Sequence, residues 1–100
     1  MVLFFSLKEE LYRGKIYSII SAYAQRHYPS SAQRRKQTGT VKISFRYCKN
    51  GRIERMKIYA SSGHEALDEA VMEAVEKTKQ KFPHTDRDLD LQIPVKFVLN

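Results

Sequence analysis

The 100-residue sequence contains one cysteine, Cys48, so no disulfide can form within a single chain and the redox state of its compartment is unconstrained. Four glycines and three prolines are too few for a disordered or fibrous chain, and 42% apolar with 29% charged residues is the balance of an ordinary globular domain. No long hydrophobic run is present. The apolar opening, Met1 to Phe5, is far shorter than the roughly 20 residues of a membrane-spanning helix, and it lacks the basic leader and cleavage site of a signal peptide. A protein of this kind working outside the cytoplasm would therefore carry its export and anchoring segments upstream. Acidic residues are scarce: 11 Asp and Glu face 18 Lys and Arg, and the net charge of +7 suits nucleic acid, anionic lipid or acidic protein about equally. Also missing are a glycine-rich phosphate loop, a zinc-protease helix motif and a serine nucleophile elbow, which speaks against an enzyme.

What is there is periodic. Ser6 and Glu9 form a capping-box pattern that predicts a helix over residues 6–27, with Leu7, Leu11, Tyr12, Ile16, Ile19, Ile20 and Tyr23 on its buried stripe and Lys8, Glu9, Arg13, Lys15 and Gln25 facing away. Pro29 forces its end near His27. A short helix over Ser30 to Lys36 should follow, ended by Gly39. Thr40 to Tyr47 alternates as a half-buried strand, with Val41, Ile43, Phe45 and Tyr47 inward and Lys42, Ser44, Arg46 and Cys48 outward. Asn50-Gly51 signals a type I′ hairpin turn, and a second strand runs to Ala60 with a bulge near Glu54. Ser62 and Glu65 give a second capping box for a helix that buries Leu67, Ala70, Val71, Ala74, Val75 and Thr78 and stops at Phe82-Pro83.

The last strand alternates Leu89, Leu91, Ile93, Val95, Phe97 and Leu99 with Asp90, Gln92, Pro94, Lys96 and Val98. Pro94 has no amide to give to a ladder, so this strand belongs at an edge. A crossover over the hairpin then predicts an α+β fold: one three-stranded antiparallel sheet in the order 2-1-3, with two main helices packed on one face. Lys42, Arg46, Arg55 and Lys57 would lie on the opposite face.

Four readings compete for function. Cys48 has no histidine at a nucleophile's spacing, and His84, Asp86 and Asp88 match no strong metal-ligand pattern. The basic face with Tyr59 could meet a single-stranded nucleic acid, although the motifs of the common RNA-binding modules are absent. The last strand offers an open ladder on which an extended peptide could add.

Several stretches in this order resemble the TonB C-terminal family: Gln25-Arg-His-Tyr28-Pro29-Ser-Ser-Ala32, Gly39-Thr-Val-Lys-Ile-Ser-Phe45, Asn50-Gly-Arg-Ile53, and Ser61-Ser-Gly63 leading to Leu67-Asp68 and Ala70. The closing Ile93-Pro-Val-Lys-Phe-Val-Leu99 is similar to the family's terminal strand, and the whole resemblance runs from about residue 23 to residue 100. It implies a single domain over residues 1–100, made of the long N-terminal helix (6–27) and an α-β-β-α-β unit (30–100), with the proline-rich stalk and membrane anchor lying upstream. It also implies a non-catalytic periplasmic module, tied to the inner membrane and its partners ExbB and ExbD, that needs no cofactor or metal.

Such a module binds the TonB box peptide of outer-membrane transporters for iron chelates, siderophores, vitamin B12 or metals, and passes force derived from the proton-motive force to them. By position, the resemblance assigns peptide contacts to Gln25, Tyr28 and Pro29 and to the ladder Leu91, Gln92, Ile93, Pro94, Val95, Lys96, Phe97 and Val98. Arg26 replaces the proline common after Gln25 and lets the helix run through that residue. The related TolA-like envelope domains are the nearest alternative, a basic nucleic-acid-binding module is the other, and a monomer or a strand-swapped dimer is compatible with an exposed edge.

Overall fold

The computed structural model describes residues 7–99. Its elements are α1 (Leu7–Arg26), α2 (Ser30–Arg34), β1 (Gly39–Tyr47), β2 (Ile53–Ala60), α3 (Glu65–Thr78) followed by a 3-10 turn at Lys79–Lys81, and β3 (Leu89–Phe97). The three strands form one antiparallel sheet in the order β2-β1-β3. The expected fold class and strand order are both present.

The core lies between the sheet and the helices. Strand alternation aims Val41, Ile43, Phe45 and Tyr47 of β1 and Leu89, Leu91, Ile93, Val95 and Phe97 of β3 inward. They meet Ile16, Ile20 and Ala24 of α1 and Leu67, Val71, Ala74 and Val75 of α3. Each fully buried Val, Leu or Ile of this kind contributes about 1.5–3 kcal/mol relative to exposure, so this shared layer dominates the domain's stability. Phe82, just past the 3-10 turn, caps one end of the layer with its ring edge-on to Tyr47 at 5.4 Å. The Tyr47 hydroxyl donates to the Pro83 carbonyl at 3.0 Å, which fixes the chain where it leaves the helix layer.

The buried stripe of α1 is shorter than its apolar periodicity suggests. Leu7 is 78% exposed and Leu11 59% exposed, while Tyr12, Ile19 and Tyr23 are only partly buried. The 20 residues of α1 span about 30 Å against about 21 Å for the 14 residues of α3, so its first turns extend past the helix it packs on. Ser6, expected to cap this helix, lies outside the described residues.

Local turn chemistry also differs from expectation. The helix α2 is ended by Lys36 rather than Gly39. Lys36 is left-handed at φ +55, and the Lys36 and Gln37 amides donate to the carbonyls of Gln33 (3.1 Å) and Ala32 (2.8 Å), which is a Schellman closure. Gly39 serves another purpose: a Cβ there would stand 3.1 Å from the Ser62 carbonyl oxygen, and its φ is +153. The hairpin turn is not type I′, because Gly51 (φ +89) is left-handed and Asn50 is not. The Gly51 amide donates to the Cys48 carbonyl and the Cys48 amide to the Arg52 carbonyl, so the loop closes one residue longer than a two-residue turn. Cys48, expected to point outward, is buried where β1 ends.

The second capping box does not form. The helix α3 starts at Glu65 with His64 before it, and the anchoring carboxylate is Asp68. Asp68 accepts hydrogen bonds from the Ser61 hydroxyl, the Ser62 amide (3.0 Å) and the Ser62 hydroxyl (2.7 Å). Asp68 is one turn inside the helix and can therefore accept from both serines of the preceding loop at once, whereas Glu65 occupies the first helical position.

Candidate functional site

A sheet of three strands has two edges, and the sequence treats them differently. The pairing of β2 with β1 slips twice, between Lys42 and Ile43 and between Ser44 and Arg46. The second slip leaves an extra residue on β2, where Arg55 adopts φ +55, close to the bulge expected near Glu54. Bulges twist a strand and interrupt the row of groups on which another strand could pair. By contrast, β3 pairs with β1 without interruption from Leu89↔Tyr47 to Phe97↔Gly39. Its outer edge is the straight one.

The register also tells which backbone groups face outward. In an antiparallel ladder, alternate residues exchange both hydrogen bonds with the partner strand, and the residues between them point both groups away. Pro94 stands opposite Lys42 and has no amide hydrogen, so it occupies one of the outward positions. The even-numbered residues Asp90, Gln92, Pro94 and Lys96 therefore present backbone groups to the open edge, while Leu91, Ile93, Val95 and Phe97 are bonded to β1 and bury their side chains.

Val98 continues this parity just past the strand, and its outward groups are already engaged. The Gln25 side-chain amide donates to the Val98 carbonyl at 2.8 Å, and the Val98 amide reaches back to the Gln25 side-chain oxygen at 3.5 Å. Gln25 sits in the last turn of α1, so the helix does run through it. Further back, α1 follows the same edge. Glu10, Arg13, Gly14 and Tyr17 line a small groove of about 210 Å³ together with Gln92, Ile93 and Pro94. This placement explains why Arg13 and Glu9, expected to face solvent, are half-buried. Gly14 leaves open space there, since a Cβ on it would meet nothing within 4 Å. Arg87 bonds Glu9 at 3.2 Å and Lys8 bonds Asp86 at 3.3 Å, joining the start of α1 to the loop that leads into β3. Nothing in the sequence pattern of α1 marks Arg13, Gly14 and Tyr17 as neighbours of β3; that follows only from how the helix lies across the core.

Tyr28 and Pro29 are placed differently from the edge residues. Tyr28 is buried, its ring packs edge-on against Phe97 at 5.2 Å, and its hydroxyl donates to the Gln37 carbonyl. Burial pushes its phenol pKa up. Pro29 is half-buried and precedes the first turn of α2. In this conformation Tyr28 supports the end of β3 from the core side, while the Pro29 carbonyl accepts the Gln33 amide at 3.0 Å in the first turn of α2.

The outer face of the sheet forms an open groove of about 920 Å³ lined by Arg13, Arg46, Arg55, Lys57 and Asp90 among others. Arg46 is not free there: its guanidinium forks onto Asp90, the residue opposite it in the ladder, at 2.9 and 3.3 Å. That hydrogen-bonded pairing holds the Asp90 carboxyl below the usual carboxylate range. Lys42, Arg55, Lys57 and Tyr59 remain exposed. The Cys48 thiol pKa is pushed up, first by burial and then by the Glu54 and Asp88 carboxylates, which keeps it protonated and unreactive. In the loop before β3, Asp86 bonds Lys8 and Arg87, and Asp88 accepts the Lys49 amide at 2.7 Å. Among the described residues no group of three or more His, Cys, Asp or Glu side chains is arranged to hold a metal ion. No helix among them is long and apolar enough to cross a membrane.

Known proteins are similar to this chain in sequence and in fold. Residues 24–99 match the family described as Gram-negative bacterial TonB protein C-terminal. A protein TonB of Campylobacter coli is 26% identical over 73 residues, 73% of this chain and 32% of that protein. One of Haemophilus ducreyi is 27% identical over 86 residues, 86% of this chain and 31% of that protein. The chain thus spans about a third of the length of these relatives. A solution structure of the Helicobacter pylori TonB C-terminal domain superposes with a TM-score of 0.70 at 29% identity, covering 86% of this chain and 91% of that one. A longer form of that domain gives a TM-score of 0.72 over 99% of this chain and 98% of its own, at 23% identity, and shows that the fold extends through α1. With the family match covering β1, β2, α3, β3 and the end of α1, this chain belongs to the TonB C-terminal domain family.

Proposed function

We propose that this domain is the peptide-gripping end of a TonB energy transducer and that it adds the TonB box of an outer-membrane transporter as a fourth strand along β3. The observation that carries this reading is the contrast between the two edges: β2 is bulged twice, whereas β3 is continuous and turns a regular series of backbone groups outward. A backbone ladder recognises the main chain of its ligand, so it tolerates variation in peptide sequence while side chains flanking the edge set preferences. Because the rungs lie side by side along the strand, a pull on the peptide is shared among them. The domain would thus couple mechanically and perform no chemistry.

In this reading the domain works in the periplasm, an upstream anchor and stalk join it to the inner membrane with ExbB and ExbD, and the cargo is an iron chelate, vitamin B12 or a metal. Gln92, Lys96 and Val98 are the residues whose backbone the peptide would meet most directly, with Gln25 beside Val98 at the end of the edge. Tyr28 and the inward-facing Leu91, Ile93, Val95 and Phe97 would hold the strand in place beneath it.

An NMR titration with a synthetic TonB-box peptide at low and high salt tests this. Localised shifts on β3 and at Gln25 that persist in high salt are expected, because backbone pairing is only weakly screened. Salt-sensitive binding of single-stranded nucleic acid at Lys42, Arg55 and Lys57, with no response of β3 to the peptide, would contradict it.

A further inference from the structure

The free domain already has a ligand on its open edge. A side-chain carboxamide carries the same donor and acceptor pair as a peptide group, and Gln25 uses both on the outward carbonyl and amide of Val98, at 2.8 and 3.5 Å. It therefore occupies the rung that the next residue of an added strand would take. The rest of α1 keeps to the same line, flanking Gln92, Ile93 and Pro94 with Glu10, Arg13, Gly14 and Tyr17. We propose that Gln25 is an internal placeholder that closes the C-terminal end of the β3 edge in the free domain and must yield its place for a peptide to pair beyond Lys96. The placeholder rests on the reading of β3 as the docking edge, and it adds that docking there is a competition rather than simple occupation of an empty ladder.

The geometry sets its strength. Gln25 is exposed, Val98 is 46% exposed, and the second hydrogen bond is long, so water competes for both groups and the contact opens easily. A weak closure of this kind leaves strand addition possible but penalises peptides that pair poorly. It also covers part of the edge against a second copy of the chain. Removing it should strengthen peptide binding by the worth of one or two exposed hydrogen bonds, about three- to tenfold.

The test is to measure Kd for a TonB-box peptide with the wild-type domain, Gln25→Ala and Gln25→Leu, while following exchange of the Val98 amide in each free protein. Gln25→Leu keeps much of the bulk of the side chain but has neither a donor for the Val98 carbonyl nor an acceptor for its amide. Faster Val98 exchange together with about three- to tenfold tighter binding in both variants is expected. Unchanged or weaker binding in the variants, with the wild type binding normally, would overturn the placeholder, and weaker binding would make Gln25 a direct peptide contact instead. Binding by none of the three proteins would overturn the docking reading and the placeholder with it, even if Val98 exchange rises in the variants.

Discussion

At the scale of single residues, the stretches that carry the family resemblance are held together by contacts between them. Gly39 is bare because the Ser62 carbonyl passes 3.1 Å from where its Cβ would be, and Ser61 and Ser62 are in turn fixed by Asp68. Burial alone would raise the Asp68 pKa, but the hydrogen bonds from Ser61 and Ser62 outweigh it and hold the carboxyl below the usual value of 3.8. A depressed folded-state pKa contributes stability above the unfolded value and loses it as the pH falls through the folded one. Asp68→Asn should therefore cost about 1–2 kcal/mol at neutral pH, and the gap from wild type should narrow once the pH drops below about 4. Denaturant unfolding of both proteins from pH 7 to pH 3 checks this; a gap that does not change with pH would assign the cost to shape alone. The sequence showed serine and acid at capping spacing but pointed to Glu65. Two carboxylates near one helix start compete, and only the three-dimensional path of the Ser61-Ser62 loop decides between them.

At the scale of elements, β3 and its neighbours were the most legible part of the chain. Strict alternation and one proline were enough to place β3 at an edge, because both follow from backbone geometry that tertiary context cannot change. The helix α1 was legible as a helix but not in its placement: apolar period identifies a stripe, while Leu7 and Leu11 show that a stripe can outrun the surface available to cover it. The turns were read least well, since Lys36 in a left-handed position and the longer loop around Gly51 depend on how the strands meet. The parity of β3 makes a paired prediction. Gln92→Pro removes an outward amide, so the domain should stay folded while TonB-box affinity falls about tenfold or more. Val95→Pro removes an amide bonded to β1, and should destabilise the fold by about 3 kcal/mol or more. Circular dichroism melts and peptide calorimetry on the two variants separate these effects; equal destabilisation by both would mean the parity is reversed.

At the scale of the whole molecule, the helices leave one sheet face to water, and β3 pairs with β1 along its whole length without a bulge. The basic face accounts for much of the net charge of +7, yet Arg46 is committed to Asp90 on that face. In the proposed reading the edge, not the face, takes the ligand, because its outward backbone groups repeat regularly along β3. The candidate ladder could be named from the sequence, but the placement of α1 beside it could not, because no local pattern records which side of the sheet a helix will flank. If a peptide adds to β3 through its outward backbone groups, residue-resolved amide hydrogen exchange with and without TonB-box peptide will show it. Leu91, Ile93, Val95 and Phe97 should exchange slowly in the free domain, and the peptide should selectively slow Gln92 and Lys96. Peptide binding that leaves Gln92 and Lys96 exchanging as fast as before, or that slows the amides of β2 instead, would contradict the account.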